Sequence, residues 1–120
     1  MKQLMKRPGS FPEVLAHRST IETEEVIGTD ERNEPITDWV PVAENIPCRI
    51  ESNFTDEQVD GRNVVRKRYR GYYKVGAPLT PYVRVKWLNF DHIFKVDGEP
   101  WVEYDREKPH HIEVWLEEWK

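Results

Sequence analysis

The sequence predicts a mainly β protein: a small β-barrel of six to eight short antiparallel strands, with long loops and an extended N-terminal arm. Three observations predict it. Short runs of β-branched and aromatic residues recur, separated by turn-forming residues at intervals of roughly ten positions. The clearest runs alternate apolar and polar residues with period two, and no stretch carries the period of a long amphipathic helix. At 120 residues the chain fits one domain, assigned to 14–120, with 1–13 as the arm.

The elements follow in order. Residues 1–13 hold Pro8, Gly9 and Pro12 among scattered apolar positions, as an arm ordered by a partner would. Phe11, between Ser10 and Pro12, is the residue suited to anchor such an arm on a partner. Residues 14–28 carry Val14, Leu15, Ile21, Val26 and Ile27 with Thr20 and Thr23 between them, which favours a strand. Residues 28–35 (GTDERNEP) read as a polar turn. Ile36–Val42 is a strand with Ile36 and Trp39 or Val40 inward, and Pro41 places it at an edge or at its end.

Ile46–Glu51 alternates Ile46, Cys48 and Ile50 on one face. Ser52–Arg62 is polar and acidic with Gly61 as a turn signal, so it reads as an internal loop. Residues 63–75 form a strand with interleaved cations, and Gly71 marks a bulge or a close backbone approach. Tyr82–Trp87 points Val83, Val85 and Trp87 one way and Arg84 and Lys86 the other. Ile93–Val96 is a short strand ended by an Asp97-Gly98 turn. The last strand turns Ile112, Val114 and Leu116 inward, while Trp115 lies on the charged side and needs cover there.

Composition narrows the function classes. The formal charge is −4, which disfavours a chain built mainly to neutralise phosphates. One cysteine, Cys48, excludes an intrachain disulfide and reads as a small buried strand residue. No apolar run is long enough for a membrane span, and the first residues lack a signal peptide's apolar stretch, so synthesis in the cytosol is expected.

Catalytic signals are missing. His110 and His111, adjacent on a strand, point to opposite faces and do not converge on one ion with His92. There is no G-x-S-x-G, P-loop or G-x-G-x-x-G motif. The expectation is a protein that is not an enzyme and uses no cofactor or metal. Arg62, Arg66, Lys67, Arg68 and Arg70 form a basic strip with Tyr69, Tyr72 and Tyr73 nearby. Such a strip suits a nucleic-acid strand or one side of a charged subunit interface, and the overall acidity favours the interface.

The order of elements over residues 30–119 resembles the head-to-tail connector proteins of tailed bacteriophages, also called head-completion, head-closure or stopper proteins. The residues that carry the resemblance are the turn Asp30–Pro35 before a Trp-containing strand, Ile46–Glu51 running into an acidic segment, the strand Val83–Trp87, and Phe94–Trp101. That last segment is similar to the family's V-x-G-x-P turn, written here as Val96-Asp97-Gly98-Glu99-Pro100, and a terminal apolar strand follows it.

The resemblance implies a virion protein made in the host bacterium's cytoplasm and assembled as a ring, expected to be a dodecamer. That ring sits below the portal and adaptor and above the tail or tail terminator. Its loops retain the packaged double-stranded DNA. On this reading Ser52–Arg62 is the channel loop, with Phe54 and Val59 as contacts between loops and Asp56, Glu57 and Asp60 as anionic rings that repel phosphate. The basic strip would meet acidic segments of a neighbouring subunit. A tail terminator, another neck ring subunit, and a small-barrel nucleic-acid-binding module are the alternative readings.

Overall fold

The structure is a computed structural model that describes residues 15–119. The arm expected at 1–13, Phe11 included, lies outside the described residues. Among the described residues there are six strands: β1 (His17–Thr29), β2 (Pro35–Val59), β3 (Arg62–Tyr73), β4 (Val83–Trp87), β5 (His92–Asp105) and β6 (Lys108–Glu118). They form one antiparallel sheet that closes on itself in the order β1-β2-β3-β6-β5-β4. The expected mainly β barrel is therefore present, and its edges are removed wherever all six strands overlap.

The period-two pattern explains the core. Every strand sends alternate residues inward: Ile21 from β1, Cys48 and Ile50 from β2, Tyr69 and Tyr73 from β3, Val83 and Val85 from β4, Phe94 and Val96 from β5, and Ile112, Val114 and Leu116 from β6. Gly71 faces the same interior. A Cβ there would lie 2.9 Å from Tyr73 Cε1 and 3.2 Å from methyls of Leu116 and Val114. Close approach is thus its role, and the β2–β3 register runs past it without a bulge.

Strand lengths differ from the sequence expectation. The two strands expected within 36–51 and the loop expected at 52–62 are one 25-residue strand and the start of its partner. Two features allow this. Along 35–47, β2 pairs only with β1, so the missing donors of Pro41 and Pro47 face no second ladder. Glu44 and Asn45 stand opposite Thr20 as a bulge, with Asn45 in a left-handed conformation at φ 52°. Beyond Cys48, every residue of 48–59 has a partner in β3, and the ladder overrides the loop-like composition. The true turn is only Asp60-Gly61, both at positive φ (51° and 76°), as a two-residue hairpin requires.

A second expected turn is also a bulge. Gly98, at φ 83°, bulges with Glu99 and Pro100 opposite Val114, and β5 continues to Asp105. The chain reverses instead at Arg106 and Glu107, with Arg106 at φ 63°. The turn at 30–34 is held as read: Asp30 Oδ1 accepts from the amides of Arg32 (2.8 Å) and Glu34 (2.9 Å).

Because β4 pairs with β1 only through Thr23, and β6 with β3 only from Tyr69, three two-stranded ribbons extend past the barrel. They are the outer parts of the β1–β2, β2–β3 and β5–β6 hairpins. A straight strand of β2's length would span roughly 80 Å, yet the molecule's longest dimension is 65 Å. β2 therefore bends as it passes around the barrel.

Candidate functional site

The β2–β3 ribbon carries most of the residues singled out from the sequence. Direct cross-strand partners share a face. Phe54 pairs with Lys67 and Asp56 with Val65, on the face continuous with barrel-lining Ile50 and Tyr69. Glu57 pairs with Val64 and Val59 with Arg62, on the opposite face, and Asp60 occupies the turn. The five channel candidates are thus divided between two faces and a tip. Phe54 is 71% exposed and Val65 65% exposed.

The basic strip divides as well. Arg62, Arg66, Lys67, Arg68 and Arg70 all lie on β3, but only Lys67 is on the core-side face, 5.2 Å above the Tyr69 ring. On the outer face Arg66 pairs with Glu57 (3.2 Å), Arg68 with Asp97 (3.1 Å) and Arg70 with Glu113 (3.4 Å). Arg68 and Arg70 also stack on Trp115, their guanidinium carbons 4.0 and 4.3 Å from the ring centre, with Trp101 6.0 Å from Arg70. These guanidiniums are the cover that Trp115 needed. Tyr69 and Tyr73 belong to the core, so of the three tyrosines beside the strip only half-buried Tyr72 remains at the surface.

A related cluster sits across the barrel wall. Of the residues expected inward, Ile36 is exposed on the outer β1–β2 ribbon, and of the pair Trp39 or Val40 it is Trp39 that lies half-buried on the outside, edge-on to Trp119 at 5.3 Å. Arg84 stacks on Trp39 at 4.6 Å and its Nε donates to Glu22 at 2.7 Å. The reason is register: Trp39 pairs with Glu24, on the outer face with Glu22, while Thr23 and Ile21 turn toward β4's Val83 and Val85. A sheet with both faces lined is the signal that five tryptophans in so charged a chain carried.

Inside the barrel, Tyr73 donates to Ser19 Oγ (3.1 Å), which contacts Cys48 Sγ at 2.8 Å. Burial pushes the Cys48 thiol up, against the hydrogen bonds from Ser19 and Tyr73, and pushes the Tyr73 hydroxyl well above its usual range. All three are fully buried, and at neutral pH the thiol keeps its proton. At the barrel end Trp87 packs against Phe90 (4.5 Å), His17 (5.2 Å) and Phe94 (6.0 Å). His17 Nδ1 accepts from the Ile50 amide at 3.1 Å; burial, with Arg49 second, lowers its pKa while Glu51 opposes.

The histidine pair corrects the sequence reading. His110 and His111 do not diverge: their Nδ1 atoms are 2.7 Å apart, and His111 Nε2 contacts Glu113 at 2.9 Å. His110 is the extra residue of a bulge, with Pro109 opposite Tyr104 and His111 opposite Glu103, so strict alternation is broken where the two rings meet. Among the described residues no group of three His, Cys, Asp or Glu side chains is placed to hold a metal ion, and none forms a helix long and apolar enough to cross a membrane. No protein-family model matches the chain, and neither a curated protein nor a solved structure matches it.

Proposed function

We propose that this chain is a neck subunit of a tailed bacteriophage, a head-to-tail stopper. It assembles as a ring below the portal and adaptor, closes the DNA channel, and offers its lower face to the tail. One observation carries the reading: a small closed barrel extends three two-stranded ribbons whose aliphatic and aromatic residues are exposed, among them Val26, Ile27, Phe54, Val65 and Tyr104. A lone soluble molecule gains nothing from such ribbons, whereas a ring subunit uses them to reach neighbours and the axis. The barrel positions the ribbons and the ribbons do the work.

In this reading the β2–β3 ribbon reaches the channel with its Asp60-Gly61 tip. Seven rungs, Asn53↔Arg68 to Val59↔Arg62, give it a length of about 23 Å. Asp56 and Asp60, repeated around the ring, repel phosphate so that the duplex slides once the gate opens, and Phe54 and Val59 close it by contact between copies.

Two experiments test the proposal in the parent phage. A stop codon early in the reading frame should leave heads that package DNA and lose it, with complete tails unattached; added protein should restore joining. Heads that keep their DNA beside malformed tails would make the chain a tail terminator. Pairwise deletion of Gln58-Val59 and Arg62-Asn63 removes two rungs, about 7 Å, and keeps the Asp60-Gly61 turn. Rings should form but leak DNA; normal retention would place the gate elsewhere.

A further inference from the structure

Two of the unpaired strand edges match each other. On β1, the stretch past Thr23 has no β4 partner and reads Glu24-Glu25-Val26-Ile27. On β3, the stretch before Tyr69 has no β6 partner and includes Val64-Val65-Arg66-Lys67. Laid antiparallel, these set Glu24 beside Lys67, Glu25 beside Arg66, Val26 beside Val65 and Ile27 beside Val64. We infer that the acidic β1 edge of one copy of this chain pairs antiparallel with the basic β3 edge of the next, and that this strand addition is the seam between subunits.

Three features of the molecule support the match. The four aliphatics are exposed, at 64% for Val26, 59% for Ile27, 39% for Val64 and 65% for Val65, and the pairing covers them two by two. Three of the four charges are unspent: Glu24, Glu25 and Lys67 have no oppositely charged partner among the described residues, while Arg66 adds positive potential to the edge although it already holds Glu57. Among the described residues neither edge has a second ladder partner, so each offers a row of backbone donors and acceptors that strand addition satisfies.

A second copy is favoured over DNA as the occupant. Arg66, Arg68 and Arg70 already carry carboxylates, Asp56 and Asp60 flank the same ribbon, and a sequence-tolerant duplex surface has no use for Val64 and Val65. The contact joins two different surfaces, so it propagates from copy to copy and closes into a ring where the rotation allows. It occupies residues 64–67 and leaves the tip at 58–63 free. Ring closure rests on the neck reading; the seam itself is tested on purified protein, so either idea fails without the other.

The test is a charge swap on the full chain, read by sedimentation at low salt. Glu24→Lys/Glu25→Lys and Arg66→Glu/Lys67→Glu should each weaken self-association about tenfold or more. An equimolar mixture of the two should assemble again, because each reversed edge then meets its complement, and the fourfold reversal in one chain should assemble alone. Circular dichroism checks that each variant folds. Singly reversed variants that assemble like the parent, a mixture that stays dissociated, or a parent that remains monomeric would overturn the seam. So would loss of binding to a random-sequence DNA duplex in Arg66→Glu/Lys67→Glu with assembly untouched, which would make the edge a nucleic-acid surface. Register has its own readout: Val26→Cys with Val65→Cys should cross-link between copies on oxidation, and Val26→Cys with Val59→Cys should not. The native thiol, Cys48, is fully buried and stays silent.

Discussion

Gly71 lies flat beneath Tyr73: a methyl at its α-carbon would meet the ring's Cε1 at 2.9 Å, closer than carbon atoms pack. The ring cannot swing aside, because Tyr73 is fully buried and its hydroxyl is tied to Ser19. Gly71→Ala should therefore destabilise the barrel by about 1–2 kcal/mol, overpacking outweighing the small entropic gain of losing a glycine. Denaturant midpoints measure it. An unchanged midpoint would mean that the β3 backbone yields there.

His17 makes stability depend on pH. Its pKa in the folded protein is below the ordinary value near 6.5, mainly through burial and secondly through Arg49. The unfolded chain takes up the proton first, so stability is full above about 6.5 and falls as pH drops toward the folded pKa. His17→Asn, with an amide oxygen near the Nδ1 position to accept from Ile50, should flatten that slope between pH 7.5 and pH 5. Thermal melts of the two proteins across the range would show it; parallel curves would clear His17 of the effect.

Trp115 holds two guanidiniums on one ring. Trp115→Leu stays apolar but loses the π face and part of the packing, and should cost about 1–2 kcal/mol. Arg68→Lys should cost less than half as much, since the ion pair with Asp97 survives while the stacking does not. Equilibrium unfolding of both variants tests the order; equal losses would assign the stacking energy to Arg68 alone, with nothing from Arg70.

Gly61 at φ 76° should resist replacement locally. Gly61→Ala should cost about 1 kcal/mol in the left-handed region, and because the ribbon before Tyr69 has no β6 partner it is expected to open without the barrel. Hydrogen exchange should thus quicken at amides 53–68 while the global midpoint holds. A drop in the midpoint would show that ribbon and barrel unfold together.

Much of the barrel was legible in the sequence. Tyr82–Trp87 and Ile112–Glu117 declare their faces by alternation, and both strands point as read. What was not legible was pairing. Ser52–Arg62 looks like a loop because Asp, Asn and Gly dominate it, and only the register with β3 turns Asp56 and Glu57 into strand residues opposite Val65 and Val64. Asp97-Gly98 carries a turn's chemistry, but the same positive φ serves a bulge, and the partner strand decides between them. The basic strip was visible as charge, whereas its carboxylates Asp97 and Glu113 lie 29 and 43 positions away from Arg68 and Arg70. Trp39 went outward for the same reason: its face is set by β1 and not by its own neighbours.

β2 has one further consequence. It is a single strand from Pro35 to Val59, shared by two hairpins and the barrel between them. Because strand faces alternate, one residue inserted within the barrel segment would exchange inside for outside along the whole of one ribbon. Descendants of this chain can therefore lengthen or shorten either ribbon only at its tip and only by matched pairs, as in Gln58 with Asn63. Single insertions in β2 are best absorbed at its existing irregularities, at Val42 and at Glu44 and Asn45, where the register with β1 already shifts. The ribbons are adjustable in steps, and the step is one rung.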